Sequence, residues 1–204
     1  MLLVDFPWKV WYDDFILLYS YWKEKGGGRM RGRLHLYTGN GKGKSTALAG
    51  MALRGAGNGL PVWFVQFLKT SPSGEVSLLG EIPGITVLRP QGSGKFTWEM
   101  TAEEKESMAH THGLLLEQAF EEAHDHTASL ILLDEALDAL ELGLLDEKLV
   151  QALLLHHQPY GAEIAFSGRR APKWLEEIAD YHTEMQKKKH PFDQGLPARQ
   201  GVEW

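Results

Sequence analysis

The chain has 204 residues, of which 43% are hydrophobic and 24% are charged, so a globular domain is expected and disorder or collagen-like repetition is excluded. Its formal net charge is −6, which argues against broad electrostatic attraction to nucleic acid or to anionic lipid. The chain contains no cysteine, which also excludes disulfides, thiolate metal sites and a cysteine nucleophile.

Aromatic residues are concentrated at the start of the chain. Eight of the 21 lie between Phe6 and Trp22. Charged residues interrupt this segment, and its longest uncharged run of eight residues is too short to span a bilayer. It also lacks the basic start and the cleavage site of a secretory signal. We therefore expect a cytoplasmic protein without a membrane or nucleic-acid partner, and we predict a short helix over residues 13–25.

From residue 33 onward, short apolar runs alternate with helix-favouring stretches. This alternation predicts an α/β fold with a doubly wound, mostly parallel sheet and helices on both faces. Two loops rich in glycine or in small polar residues are expected at 70–84 and 91–98. The predicted strands are 34–37, 62–68, 85–88, 129–133, 163–167 and 181–185, and the predicted helices are 45–55, 102–126, 146–156 and 172–179.

A glycine-rich loop with the sequence TGNGKGKST, residues 38–46, follows the first predicted strand and precedes the first predicted helix. Its glycines let backbone N–H groups turn toward an anion, its lysine neutralises the anion and its hydroxyl reaches Mg²⁺, as in a phosphate-binding loop. The strict pattern has glycine at the position of Thr38, so this loop is a variant. It predicts a P-loop NTPase-like (RecA-like) fold. The candidate ATP-binding residues in it are Gly39, Asn40, Gly41, Lys42, Gly43, Lys44, Ser45 and Thr46.

Two further clusters follow predicted strands. Asp134 and Glu135 end a buried strand, and beside a phosphate loop either carboxylate can complete a Mg²⁺ shell with Ser45. The alternative is an aspartate that caps the next helix. Arg169, in the loop after the strand 163–167, is a candidate for bidentate contact with a triphosphate, and the alternative there is a solvated loop.

Two other patterns do not indicate binding sites. The histidine pairs at 110 and 112, 124 and 126, and 156 and 157 are one or two residues apart, so on a helix they do not share a face and cannot chelate a metal. The basic run 187–189 is interpreted as a solvated edge, because the whole chain is acidic.

Taken in order, the motifs resemble those of the P-loop class of corrinoid (cob(I)alamin, cob(I)yrinic acid a,c-diamide) adenosyltransferases, over essentially all of residues 33–204. The phosphate loop with Tyr37 and Thr38 matches the family's own variant. No single motif carries the resemblance, but their order is specific. The other matching positions are Arg54, residues 65–69, 74–75, 96–98, 133–135, 167–169, 179–180, 183–185, 189–193, Gly195 and 201–203.

The resemblance implies transfer of the 5′-deoxyadenosyl group of ATP to Co(I) of a corrinoid such as cobalamin, with release of triphosphate. It implies Lys44 and Glu135 as catalytic residues, Arg54 as a further ATP contact, and Mg²⁺ or Mn²⁺ on Ser45, Glu135 and Asp134. Phe96 and Trp98 match the aromatic pair that displaces the lower axial ligand of the corrinoid. The resemblance also implies a homodimer and an electron donor such as a reduced flavin or flavodoxin.

Two other functions stay open at the level of sequence. A P-loop followed by an Asp-Glu strand end also describes an ATPase or a small kinase, which would release ADP. A nucleotide-gated binding module would bind nucleotide without turnover.

The chain is predicted to divide into an N-terminal extension, residues 1–29, and a single adenosyltransferase domain, residues 30–204. In this family an N-terminal helix can cover the corrinoid site, so the extension can be a flexible lid. We favour another interpretation. Residues 25–27 can be encoded by a purine-rich ribosome-binding sequence just before the codon for Met30, so translation is expected to start there.

Overall fold

The computed structural model describes residues 16, 17, 20, 32–69, 73–91, 97–124, 126, 129–157 and 161–202. The helix predicted over 13–25 lies outside the described residues, apart from residues 16, 17 and 20, which are helical.

Six parallel strands form one sheet, as the apolar runs predict. They are β1 (Leu34–Thr38), β2 (Val62–Gln66), β3 (Ile85–Leu88), β4 (Ser129–Asp134), β5 (Ala162–Ser167) and β6 (Tyr181–Glu184). Their order is β3-β2-β4-β5-β1-β6, and each neighbouring pair is parallel. This confirms the α/β class with a doubly wound sheet. The sequence predicted a mostly parallel sheet, and in the structure all six strands are parallel. β5 lies between β1 and β4, the strands that precede the phosphate loop and the carboxylate pair.

Helices connect the strands. They are α1 (Lys44–Gly57), α2 (Gly74–Leu79), α3 (Ala102–His124), α4 (Ala136–Glu141), α5 (Glu147–His157) and α6 (Lys173–Ile178), with 3₁₀ turns at Thr97–Glu99 and Pro191–Gln194. The prediction of a loop over 70–84 was wrong at residues 74–79, which form α2. This helix has six residues, of which only Val76 and Leu79 are buried, so it is too short for a helical period to be visible in the sequence.

The sheet buries side chains on both faces. Along β4, Leu130 and Leu132 pack with α1 and α2, whereas Ile131 and Leu133 pack with α3, α4, α5 and α6. This alternation is the two-residue period of a strand between two layers of helices. It explains why β4 is continuously apolar over residues 130–133, before the strand ends at Asp134.

Because all six strands are parallel, the loops that follow them meet at one edge of the sheet. In open α/β sheets ligands bind at this edge. Within the described residues, no helix is long and apolar enough to cross a membrane.

Candidate functional site

The phosphate loop lies between β1 and α1, where the sequence places it. Gly39 and Gly43 adopt left-handed backbone conformations, with φ of 102° and 116°. A Cβ on Gly39 would lie 2.4 Å from the carbonyl oxygen of Met185, so the position requires glycine for its φ and for this close approach. The glycines therefore shape the loop and also let the segment after β6 pack against it.

The side chain of Lys44 folds back over the loop. Its Nζ donates to the carbonyl oxygens of Gly39 at 2.7 Å and of Gly41 at 3.0 Å. Burial lowers the pKa of Lys44, Asp138 opposes this shift and Arg169 adds to it. The ammonium thus lies at the centre of a site that contains both acidic and basic groups.

Some polar groups of the phosphate loop are already hydrogen-bonded to neighbouring loops. The N–H of Gly39 donates to Arg169 O at 3.0 Å, and that of Gly41 donates to Met185 O at 2.6 Å. The side-chain oxygen of Asn40 accepts from Lys187 N at 2.9 Å. The first N–H groups of α1, from Lys44 onward, have no acceptor within the helix and can donate to an anion.

Three strands contribute to a buried polar cluster around Asp134. Asp134 is fully buried, and its two carboxylate oxygens accept from Ser167 Oγ at 2.7 Å and from Gln66 Nε2 at 3.3 Å. The same Ser167 oxygen accepts from Glu135 N at 3.0 Å. Gln66 Oε1 is buried and, among the described residues, has no hydrogen-bond partner. The cluster joins the carboxyl ends of β2, β4 and β5. It also contains the Oε1 of Gln66, which receives no hydrogen bond from the part of the chain that the structure describes.

Glu135 follows this cluster in a left-handed conformation, with φ of 61°. Its Oε1 lies 2.9 Å from Lys69 Nζ. Burial raises the pKa of Glu135, and the charge of Lys69 opposes that shift. Burial acts to lower the pKa of Lys69, but the carboxylates of Glu135, Asp134 and Glu75 together outweigh it and the net shift is upward. The N-cap of α4 is Glu135 and makes no side-chain cap bond, so the alternative in which Asp134 caps this helix is wrong.

The loop after β5 approaches α4 through a glycine. A Cβ on Gly168 would lie 2.5 Å from the Cβ of Leu137, so a larger residue would push the two elements apart. Next to it, Arg169 N donates to Asp138 Oδ1 at 3.3 Å. Burial raises the pKa of Asp138, and its contacts with Arg169 and Lys44 oppose the shift. This contact holds Arg169 beside the phosphate loop.

A family model described as ATP:corrinoid adenosyltransferase BtuR/CobO/CobP matches residues 30–204. The chain belongs to this family. A corrinoid adenosyltransferase of Sinorhizobium sp. is 37% identical over 180 residues, which are 85% of this chain and 81% of that protein. One from Escherichia coli K12 is 36% identical over 180 residues, covering 85% and 86% of the two chains. Corrinoid adenosyltransferase CobA of Salmonella typhimurium is 34% identical over 184 residues, again covering 85% and 86%.

Membership of the family makes this chain a transferase that acts on ATP and a corrinoid, as the sequence motifs predict. The structure brings the phosphate loop, Glu135 and Arg169 of this adenosyltransferase together. It does not bring Arg54 to them, since Arg54 is ten positions after Lys44 in the same helix, about 15 Å along α1. Trp98 lies in the first 3₁₀ turn with 75% of its surface exposed, and Phe96 lies outside the described residues.

Sequence reasoning did not assign four residues that the structure places in or beside the site. Gln66 is the last residue of β2, Lys69 follows that strand, and Asp138 lies in the first turn of α4. His182 Nε2 lies 2.8 Å from Thr38 Oγ1. This contact gives a role to the threonine that replaces the usual glycine. The signal available in the sequence was a polar residue at the end of each apolar strand.

The adenosyltransferase site fits a divalent cation that arrives with phosphates. No group of three or more His, Cys, Asp or Glu side chains that could hold a metal occurs within the described residues. Mg²⁺ at a nucleotide site needs only one or two carboxylates, because phosphates and water complete its shell. The carboxylates of Asp134 and Glu135 and the unpaired oxygen of Gln66 are hard oxygen atoms, which is the chemical kind that Mg²⁺ prefers.

Proposed function

We propose that this enzyme transfers the 5′-deoxyadenosyl group of ATP to Co(I) of the corrinoid. In this reaction a cobalt–carbon bond forms at C5′, the C5′–oxygen bond breaks, and the bonding electron pair leaves with triphosphate. The convergence of Lys44, Arg169 and the N-terminus of α1 on one loop carries the proposal, because this set stabilises a polyphosphate leaving group. Cobalt supplies the nucleophile, so no activated side chain is needed.

Within this proposal each part of the loop has a distinct task. Lys44 exchanges its two carbonyl acceptors for phosphate oxygens, and the free N–H groups of residues 44–46 donate to the same anion. Arg169 neutralises charge on the departing triphosphate from the other side. Lys42, whose Nζ donates to Val202 O at 2.5 Å, stays a proposed ATP contact. Arg54 stays one only for a part of ATP away from the phosphate loop, because it lies about 15 Å along α1 from Lys44.

A divalent cation, Mg²⁺ or Mn²⁺, belongs to the proposal. Ser45 and Glu135 are the residues proposed to hold it, with Asp134 behind them in its hydrogen-bonded cluster. When bound, the cation neutralises the charge that develops on triphosphate. The chain's own contribution is to fix the backbone of Glu135 at the end of β4, through its left-handed conformation and the hydrogen bond from its N–H to Ser167 Oγ.

The deciding experiment is an anaerobic incubation of the protein with MgATP and chemically reduced cobalamin, followed by visible absorbance. We expect the Co(I) spectrum to convert to that of a light-sensitive adenosylated corrinoid, with intact triphosphate as the second product. ADP and phosphate would indicate an ATPase or kinase, and nucleotide binding without turnover would indicate a binding module. Either result would overturn the proposal.

Phe96 and Trp98 are proposed to displace the lower axial ligand of the corrinoid before cobalt is reduced. The high exposure of Trp98, in the segment after β3, suits contact with a large flat ligand. Trp98→Ala is therefore expected to lower the rate about tenfold when Co(II) and a weak reductant are supplied, and to change it little with Co(I). Comparison of the two rates checks this, and equal losses would contradict it.

Three remaining parts of the proposal concern the protein's surroundings. A homodimer is testable by sedimentation, and a reduced flavin or flavodoxin as electron donor is testable by reconstitution. A cytoplasmic location is part of the same proposal.

We also propose that translation starts at Met30. Residues 30–204 make up the family match, whereas the contact of Ile16 with the core favours the alternative in which the extension is part of the folded protein. The intact mass of the native protein decides between them, since a product that keeps residues 1–29 excludes the later start.

A further inference from the structure

The ion pair between Lys69 and Glu135 stands out in the site because both partners are partly buried. Its nitrogen and oxygen are 2.9 Å apart, and the side chains are only 40% and 25% exposed. Solvent screens such a pair less than it screens a surface pair. The ammonium therefore competes directly with any other cation for the Glu135 carboxylate.

The backbone that leads to Lys69 makes a strained turn. Leu68 has a φ of 60°, and across it Lys69 N–H donates to Phe67 O at 2.6 Å. A three-residue turn around a central residue with positive φ is rare outside glycine and persists only where its surroundings hold it. The turn carries Lys69 from the end of β2 to Glu135, after β4.

His112 in α3 supports this turn from beneath. Its ring is fully buried and packs edge-on against Phe67, with centroids 5.2 Å apart. Nδ1–H donates to Leu144 O at 2.8 Å, so Nε2 is left as an acceptor, and Leu68 N–H donates to it at 3.4 Å. Burial lowers the pKa of His112, although its bond to Leu144 opposes the shift, so the ring stays neutral and keeps its acceptor.

We propose that Lys69 is a resident counter-cation of Glu135, held there by His112 as a positioning residue, and that Lys69 leaves Glu135 when the divalent cation of ATP binds. The inference rests on the proposed function only in placing Glu135 at that cation. Lys69 then neutralises a partly buried carboxylate before the nucleotide binds. Part of the free energy gained when the metal binds Glu135 is used to break the Lys69–Glu135 ion pair, so the metal adds less to the affinity for ATP.

The test measures ATP affinity by calorimetry on the full chain, without corrinoid, once in saturating Mg²⁺ and once in EDTA. The ratio of the two affinities is the metal's contribution. Lys69→Met is expected to raise this ratio by about threefold or more, because it removes the competing ammonium. His112→Phe keeps the ring packing but removes both hydrogen bonds, and it is expected to raise the ratio in the same direction. The double variant is expected to raise it no further than Lys69→Met alone.

Matched controls separate this role from ordinary stabilisation. Lys173→Met removes a lysine from an exposed ion pair with Glu177, and Leu116→Ala weakens the core one turn along α3 from His112. Both are expected to leave the ratio within about twofold of the wild type. A variant that only damaged the site would lower the ratio of the two ATP affinities. A higher ratio therefore distinguishes the proposed role from a purely structural one.

Amide hydrogen exchange tests the order of action. We expect the Leu68 and Lys69 amides to exchange faster in His112→Phe but to keep wild-type rates in Lys69→Met. His112→Gln retains a donor and an acceptor. Its ratio of ATP affinities is expected to lie between those of His112→Phe and the wild type. An unchanged or lower ratio in Lys69→Met overturns the resident cation, and additive effects in the double variant overturn the positioning role. Neither measurement depends on adenosyl transfer, so the proposed function is tested separately.

Discussion

At the scale of single residues, the site depends on side chains that stabilise one another before any ligand binds. Lys44 is held by two carbonyl oxygens of its own loop, Asp134 by Ser167 and Gln66, and Glu135 by Lys69. These contacts hold the charged groups close to the phosphate loop before ATP binds, and under our proposals Lys44 and Lys69 exchange theirs when it does.

Lys44→Ala is expected to lower kcat/KM for ATP by about 10²–10³-fold, because the ammonium at the centre of the loop is lost. Steady-state rates with prereduced corrinoid measure the effect. The matched control is Lys105→Ala, a lysine in α3, which is expected to stay near the wild-type rate. A Lys44 variant with wild-type kcat/KM would exclude the loop as the triphosphate site.

At the scale of elements, glycines allow the loops at the carboxyl edge of the sheet to pack closely. The loop after β5 touches α4 at Gly168, and the segment after β6 touches the phosphate loop at Gly39 and Gly41. These contacts join parts of the chain that are far apart in sequence, so they transmit strain between the elements that form the site.

Gly168→Ala is expected to destabilise the fold by about 1–3 kcal/mol, because its Cβ would lie 2.5 Å from Leu137 Cβ and backbone must move. It should also raise the KM for ATP, since Arg169 moves with the loop. The control is Gly50→Ala, because nothing lies within 4 Å of a Cβ added there and the residue is inside α1. This variant is expected to raise the free energy of unfolding by about 0.5–1 kcal/mol. Chemical denaturation measures both, and a neutral Gly168 variant would contradict the close approach.

At the scale of the whole molecule, folding buries a neutral histidine. Burial lowers the pKa of His112 in the folded state, whereas the unfolded ring titrates near its usual value of about 6.5. Below that pH the unfolded chain binds the extra proton, so stability contributed by the neutral ring is complete above about pH 6.5 and is lost as pH falls.

The free energy of unfolding is therefore expected to fall with decreasing pH below about 6.5 more steeply in the wild type than in His112→Phe, by up to about 1.4 kcal/mol per pH unit. Denaturation curves between pH 5 and 8 measure the difference between the two proteins. The raised pKa values of Glu135 and Asp138 favour folding as pH falls, with the opposite sign, but both proteins share these groups. Parallel profiles would contradict the prediction.

The sequence by itself determined the strands, the phosphate loop and the family, because apolar runs, glycine spacing and motif order are local properties of the chain. It placed Lys44, Glu135 and Arg169 in segments that follow strands, where the structure has them. Only the tertiary structure decided which side chains surround them. Gln66, Lys69 and His112 join the site because β2 pairs with β4 and α3 packs over both. A polar residue at a strand end marks Gln66 in the sequence, but its partner in the fold depends on this non-local packing.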